Sequence, residues 1–142
     1  MSDLTTTIAA LPYALPACPN ARIALFALRR MGAQGLHDAR ASHALFTAFG
    51  QEFRRPLVLM RALMADLAGT AAGTIAIAPC CCARMTAAER TMLTVIARVE
   101  TAPDTARLLL ADLLGVRRVD AVLASVAAVA TAFADDGRPI CI

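Results

Sequence analysis

The chain has 142 residues, of which 58% are hydrophobic and 18% charged, and its formal net charge is +3. This length favours one domain, because domains cluster at roughly 100–150 residues. The composition excludes intrinsic disorder, since disordered chains are rich in charge and poor in apolar residues.

The chain begins with a stretch that proline keeps out of helical structure. Pro12, Pro16 and Pro19 fall within eight residues, and each proline removes a backbone donor and disfavours helix at the residue before it. We expect residues 1–19 to form an extended, apolar arm that lies against the body or a neighbouring subunit. Residues 20–142 are then expected to form a single helical domain.

An all-α fold is predicted because the chain is rich in alanine, leucine and arginine, which favour helix. The first half contains three apolar patterns of helical period. They predict helices at about 21–31 (Asn20 as N-cap, ended by Gly32), 36–49 (Leu36, Ala39, His43, Phe46 and Phe49 inward) and 56–68 (Pro56 in the first turn, Leu59, Leu63 and Leu67 inward).

Thr74–Pro79 is the one segment with β-like alternation. It is too short to form a sheet alone, and no partner strand is visible in the sequence. We therefore expect an extended crossover between two groups of helices.

The second half contains clear helix boundaries. Thr86 and Glu89 match the capping box, which predicts a helix from there to about Val99. Two more helices are predicted, one from Pro103 to a stop at Gly115 and one from Asp120 to just before Gly137. The whole pattern predicts a compact bundle of about six helices.

The candidate chemistry lies at Cys80, Cys81 and Cys82, between the crossover and the capping-box helix. A helix N-terminus and the neighbouring Arg84 both favour a thiolate, which is a metal ligand and a redox group. Contiguous cysteines, however, lack the Cys-x-x-Cys spacing of zinc sites and are expected to point in different directions. Structural packing is the competing interpretation, since cysteine is often buried. His43 is a candidate fourth ligand.

Cys18 and Cys141 lie near the two ends of the chain. They could approach each other or the three central cysteines if the termini converge. We favour the interpretation that they are two unrelated small residues, because disulfides are rare in the cytosol.

Arginine supplies all of the basic charge. Arg84 near the thiols, and Arg117 with Arg118 in a predicted joint between helices, are candidate contacts for an anion. The arginines are otherwise dispersed among eleven acidic residues. We expect no nucleic-acid partner, because such proteins gather their positive charge on one face.

Three sequence blocks carry a resemblance: FRRPLVLMRALMADL (53–67), IAIAPCCCARMTAAER (75–90) and LLLADLLGVRR (108–118). They resemble an uncharacterised family of small alphaproteobacterial proteins over about residues 20–140. That resemblance implies a bacterial, cytoplasmic protein, and it assigns no functional residue.

No phosphate loop, nucleophile elbow or Glu-x-x-His pair occurs in the sequence. We therefore expect an interaction module rather than an enzyme, one that self-associates through an apolar helix face, with a dimer favoured. The alternative is a thiol or metal-binding protein that uses the three central cysteines; no other cofactor is expected. Prolines and glycines interrupt the long apolar runs, so no membrane span is expected. The absence of a secretory pattern favours the cytoplasm.

Overall fold

The computed structural model describes residues 11–142, and the chain in this range is mostly helical. The prediction of an all-α bundle of about six helices is close, but it omits a short 3-10 turn at Gly50–Phe53 and a small pair of strands. The elements in chain order are β1 (Tyr13–Ala14), α1 (Pro19–Gln34), α2 (Ala39–Phe49), α3 (Arg54–Thr70), β2 (Arg84–Met85), α4 (Ala87–Arg98), α5 (Pro103–Leu114) and α6 (Asp120–Asp135).

Helix α1 is longer at both ends than its sequence signals predict. It begins at Pro19 with Cys18 in the N-cap position, so the prediction of Asn20 as N-cap is wrong. It also runs through Gly32 and ends at Gly35, which has a φ of 107°. Gly32 is needed for a different reason: a Cβ there would lie 2.6 Å from Cδ1 of Ile77. The missing side chain lets the crossover approach the helix.

Helix α2 presents a different face to the core from the predicted one. Ala41 and Leu45 are its buried residues, whereas His43 is exposed and Phe46 is 49% exposed. The inward orientation predicted for His43 is therefore wrong. Alanines occur on several faces of this helix, so the periodicity alone does not determine which face is buried.

The predicted boundaries of the second half are close to the observed ones. Both halves of the capping box form at Thr86 and Glu89, and α5 ends at Gly115 in the left-handed region, with a φ of 69°. Helix α6 buries its large apolar residues Val122, Leu123, Val126, Val129 and Phe133.

The described part of the N-terminal arm lies against the body of the protein, as predicted. Strand β1 pairs antiparallel with β2, and Tyr13 is opposite Met85. The Arg84 side chain donates to the carbonyl oxygens of Leu11 and Pro12 at 2.9 and 3.0 Å. This pairing was not predicted, because two-residue strands carry no periodic signal. The part of the arm before residue 11 lies outside the described residues.

The core contains apolar residues from every α-helix, and Thr74–Pro79 crosses its edge without regular secondary structure, as predicted. Helix α3 contacts α6, α4 contacts α5, and α1 contacts α2 most extensively. Within residues 11–142, no helix combines the length and apolar character that a bilayer crossing requires.

Candidate functional site

Residues 79–83, which we call the cysteine loop, contain a tight turn. The backbone N–H of Cys82 donates to the carbonyl oxygen of Pro79 at 3.0 Å, so Cys80 and Cys81 are the central residues of the turn. Cys81 is exposed, whereas Cys80 and Cys82 are half-buried, and all three are free thiols. The three cysteines of the cysteine loop therefore lie at the surface of the protein rather than in its core.

The turn brings the three cysteines to one concave surface, which we call the thiol cavity. It has a volume of about 300 Å³, and Phe26 and Leu25 of α1 form its apolar wall. Its full lining is Leu15, Arg22, Leu25, Phe26, Arg29, Cys80, Cys81, Cys82 and Ala83. A turn reverses the chain direction within the three residues, which allows contiguous cysteines to line one cavity.

A buried ion pair, Arg29 with Glu89, lies beneath the cysteine loop. Arg29 Nε and Nη2 donate to the two carboxylate oxygens of Glu89 at 2.7 and 3.0 Å. The side chains of Arg29 and Glu89 are 2% and 0% exposed. Bidentate pairing of this kind fixes the orientation of the guanidinium as well as its position.

The same two side chains hold both ends of the cysteine loop. Arg29 also donates to the carbonyl oxygens of Cys82 and Arg84, at 3.0 and 2.8 Å. Glu89 accepts from the backbone N–H of Ala78 at 3.2 Å. Because residues before and after the turn are bonded to one buried pair, the loop conformation is set by the junction of α1 with α4.

The capping box of α4 completes this arrangement. The backbone N–H of Thr86 donates to Glu89 at 2.9 Å, and that of Glu89 donates to the Thr86 hydroxyl at 3.0 Å. The same hydroxyl donates to the carbonyl oxygen of Ala76 at 2.8 Å. No buried side-chain nitrogen or oxygen in residues 11–142 lacks a hydrogen-bond partner, so the charges of Arg29 and Glu89 are compensated.

Arg30 approaches the cysteine loop from the neighbouring position of α1. Its guanidinium pairs with Asp38, the N-cap of α2, at 2.8 and 3.0 Å, and Arg30 also interacts with Cys80, with which it lines one cavity. These interactions, that with Asp38 first, raise the pKa of Arg30, while the Arg30 hydrogen bonds are the main cause of a lowered pKa at Asp38. A fixed cation therefore stands beside the first thiol.

The structure does not assemble the predicted metal ligands. His43 is exposed on α2, and residues 11–142 contain no group of three histidine, cysteine or acidic side chains placed to hold a metal ion. The three thiols share a cavity wall without converging on one point. A ligand at this cavity would therefore be held by one or two sulfurs.

The three candidate anion contacts, Arg84, Arg117 and Arg118, are not among the residues that line the thiol cavity. Arg84 is bound to the carbonyl oxygens of the N-terminal arm, as described above. Arg117 and Arg118 are exposed in the joint between α5 and α6. The arginines that line the thiol cavity are instead Arg22 and Arg29, and Arg29 forms an ion pair with Glu89.

Cys18 and Cys141 line one cavity, so they are neighbours in the fold and the interpretation of them as two unrelated residues is wrong. Cys18 Sγ lies 3.8 Å from the carbonyl oxygen of Pro139, two residues before Cys141. Burial by itself raises the pKa of Cys18, but the Cys141 side chain and nearby backbone N–H groups outweigh it and lower that pKa. The contact with Cys18 raises the pKa of Cys141.

Sequence reasoning missed Arg29 as the organising residue of the site. Its contacts are 53 to 60 residues away along the chain, and in the sequence it appears only as one of two adjacent arginines on a helix. One signal was present: Arg29 lies four residues after Leu25 and one after Leu28 on the apolar side of α1. A charged residue on a buried helix face requires a partner.

A family model described as "Family of unknown function (DUF6628)" matches residues 2–102. The matched range includes the cysteine loop and the Arg29–Glu89 pair. No curated protein and no solved structure matches the chain.

Proposed function

The chain belongs to a family of unknown function, DUF6628, and from its own geometry we propose that it is a binding module that captures soft, thiol-seeking ligands at the cysteine loop. The observation that carries this proposal is that three cysteines, all with free thiols, are among the residues that line one cavity of about 300 Å³. Soft ligands, including thiophilic metal ions and small electrophiles, prefer thiolate sulfur to oxygen or nitrogen.

The buried ion pair supports a binding role for the loop. A buried salt bridge adds little net stability, because desolvation of both charges offsets their attraction. Here the Arg29–Glu89 pair instead fixes the backbone on both sides of the thiols. Binding is stronger when the recognition element is preorganised, since less conformational entropy is lost on association. We place the protein in the cytoplasm, where such thiols stay reduced.

A trivalent arsenical tests the proposal, because it binds tightly only where two thiols lie close together. The parent protein carries Cys18→Ser and Cys141→Ser, so that the three loop cysteines are the only thiols. We expect it to bind one equivalent of phenylarsine oxide, as measured by intact mass and calorimetry. Binding should weaken at least tenfold after Cys80→Ser or Cys82→Ser.

Two further measurements distinguish a metal ion from an organic electrophile as the ligand. Elemental analysis of freshly purified protein detects a bound metal ion, whereas an organic adduct appears as added mass on a loop cysteine. The proposal is contradicted if the parent protein binds the arsenical no better than a single free thiol does. It is equally contradicted if both the Cys80→Ser and the Cys82→Ser variants bind as the parent does.

A separate observation favours self-association as a second function. Phe46 and Val58 are 49% and 57% exposed on neighbouring helices. Arg61 donates to the Ser42 hydroxyl at 3.2 Å, and Phe46 stacks edge-on against Phe53 with ring centroids 5.2 Å apart. These contacts join α2 to α3 and to the turn that precedes α3, the part of the fold that carries Phe46 and Val58.

We call Phe46, Phe53 and Val58 the apolar patch, and we propose a second copy of this chain as its partner. Exposed Glu52 and Arg54 flank it with opposite charges. In a two-fold dimer the same patch faces itself, so each acid meets the other copy's base. This arrangement suits a self-complementary interface better than a partner of one charge.

A further inference from the structure

We propose that Cys18 and Cys141 form a redox-sensitive pair, which a peroxide converts into a disulfide that joins the start of α1 to the C-terminal segment. Neither cysteine lines the thiol cavity. The basis of the proposal is that Cys18 and Cys141 line one cavity of about 510 Å³ together with Arg90 and Met85, and that Cys18 Sγ lies 3.8 Å from the carbonyl oxygen of Pro139, two residues before Cys141.

The backbone that carries the two thiols is held in register by polar contacts on both sides. Asn20 Nδ2 donates to the carbonyl oxygen of Pro139 at 3.0 Å, and Arg138 Nη1 donates to Asn20 Oδ1 at 3.2 Å. Arg138 Nε also donates to the carbonyl oxygen of Ala48 at 2.8 Å. Ile140, next to Cys141, is 8% exposed and belongs to the core. The C-terminal segment is therefore docked and keeps its thiol beside Cys18.

The two cysteines have different roles in the reaction. Cys18 is in the N-cap position of α1, where backbone N–H groups and the helix dipole favour a thiolate. The lowered pKa of Cys18 and the raised pKa of Cys141 agree with this division. Cys18 is therefore the attacking sulfur, and Cys141 is the resolving thiol.

The reaction balances with hydrogen peroxide as the oxidant. The Cys18 thiolate attacks one peroxide oxygen, the O–O bond breaks, hydroxide leaves, and the sulfur becomes a sulfenic acid. The Cys141 sulfur then attacks the Cys18 sulfur, so that an S–S bond forms and the S–O bond breaks. The two thiol protons and the released oxygens form two waters, and two electrons pass from the sulfurs to the peroxide. A dithiol reductant reverses the modification by exchange.

The disulfide is expected to stabilise the fold, because it restricts the unfolded chain between two positions far apart in sequence. For a loop of this length we expect the Tm of the oxidised protein to exceed that of the reduced protein by roughly 10 °C. The described contacts already hold the two segments together, so little rearrangement is required.

The experiment treats the fully reduced, full-length protein with one equivalent of hydrogen peroxide. We expect a mass loss of about 2 Da without dimer formation, and a peptide pair that links Cys18 to Cys141 in an unreduced digest. Cys141→Ser should stop at the sulfenic acid on Cys18, which dimedone traps. Cys18→Ser should give neither product, and the matched control Cys81→Ser should form the disulfide as the native chain does.

Other outcomes overturn the inference. They are a disulfide that includes a loop cysteine, a link between two chains, unchanged thiol content after peroxide, or the same mass loss in Cys18→Ser. Circular dichroism of each variant establishes that it is folded. Cys141 is exposed and Cys18 is half-buried, and serine retains a group able to hydrogen-bond.

Discussion

At the scale of single residues, the Arg29–Glu89 pair is the feature on which the local structure most depends. Both side chains are almost fully buried, and together they make six hydrogen bonds to each other and to the backbone around the cysteine loop. Removing one member leaves the other charge without its counterion in a site from which water is excluded. The two residues are therefore expected to behave as one energetic unit.

A double-mutant cycle tests this coupling. Arg29→Met and Glu89→Gln should each lower the free energy of unfolding by about 3–5 kcal/mol, because each leaves an uncompensated buried charge. The double variant should be more stable than the sum of the two losses predicts, by more than about 1 kcal/mol, since it removes both charges. Urea unfolding measures all four proteins. Strictly additive losses would show that the pair does not act as a unit.

At the scale of elements, local signals predicted the second half of the chain better than the first. The capping box at Thr86 and the glycine stop at Gly115 are bonded within their own turns, so their effect can be read from adjacent residues. Gly32 was misread as a stop because its role depends on Ile77, a contact of tertiary origin. The helix boundaries in the second half of the chain could thus be predicted from capping residues and apolar periodicity alone.

The candidate site was harder to predict than the helices. The sequence indicated the three cysteines, but their shared cavity depends on a turn and on Arg29, whose partners are distant in the chain. The Cys18–Cys141 contact similarly requires both ends of the chain to meet. A sequence pattern indicates which residues have reactive side chains, whereas the proximity of those side chains in the fold depends on how whole helices pack.

The joint between α1 and α2 provides a pH-dependent prediction. Asp38 caps α2 by accepting from the N–H of Ala41 at 3.0 Å and pairs with Arg30, whose hydrogen bonds lower its pKa below the usual 3.8. A depressed folded-state pKa adds stability that is complete above the unfolded-state pKa and is lost as the pH falls through the folded-state value. Asp38→Asn keeps a capping side chain but removes the charge.

We therefore expect Asp38→Asn to be less stable than the native chain at pH 7, with a difference that shrinks as the pH falls below about 4. Urea unfolding between neutral and acidic pH measures that difference. Asp120→Asn is the matched control: its pKa is also lowered by an arginine, Arg107, but its side chain is 73% exposed against 9% for Asp38. Solvent screening should make the effect at Asp120 smaller. A constant difference across the pH range would contradict the assignment at Asp38.

At the scale of the whole molecule, the proposed dimer places the apolar patch of one chain against the apolar patch of a second. Val58 is the most exposed residue of the patch, so Val58→Glu should place a carboxylate on each side of the proposed two-fold interface, where like charges repel. We expect the native chain to sediment as a dimer at about 100 µM and Val58→Glu as a monomer, which corresponds to a Kd of about 10 µM or tighter for the native dimer. The control is Leu108→Glu, since Leu108 is 71% exposed on α5, outside the patch.

The two variants distinguish a specific dimer interface from nonspecific hydrophobic association. If exposed apolar area alone drove association, Leu108→Glu would dissociate the dimer at least as well as Val58→Glu, because Leu108 is the more exposed residue. Dimerisation through the apolar patch instead requires that only the Val58 variant becomes monomeric. A native chain that remains monomeric at 100 µM would remove self-association as a function and leave the thiol cavity as the binding surface of this protein.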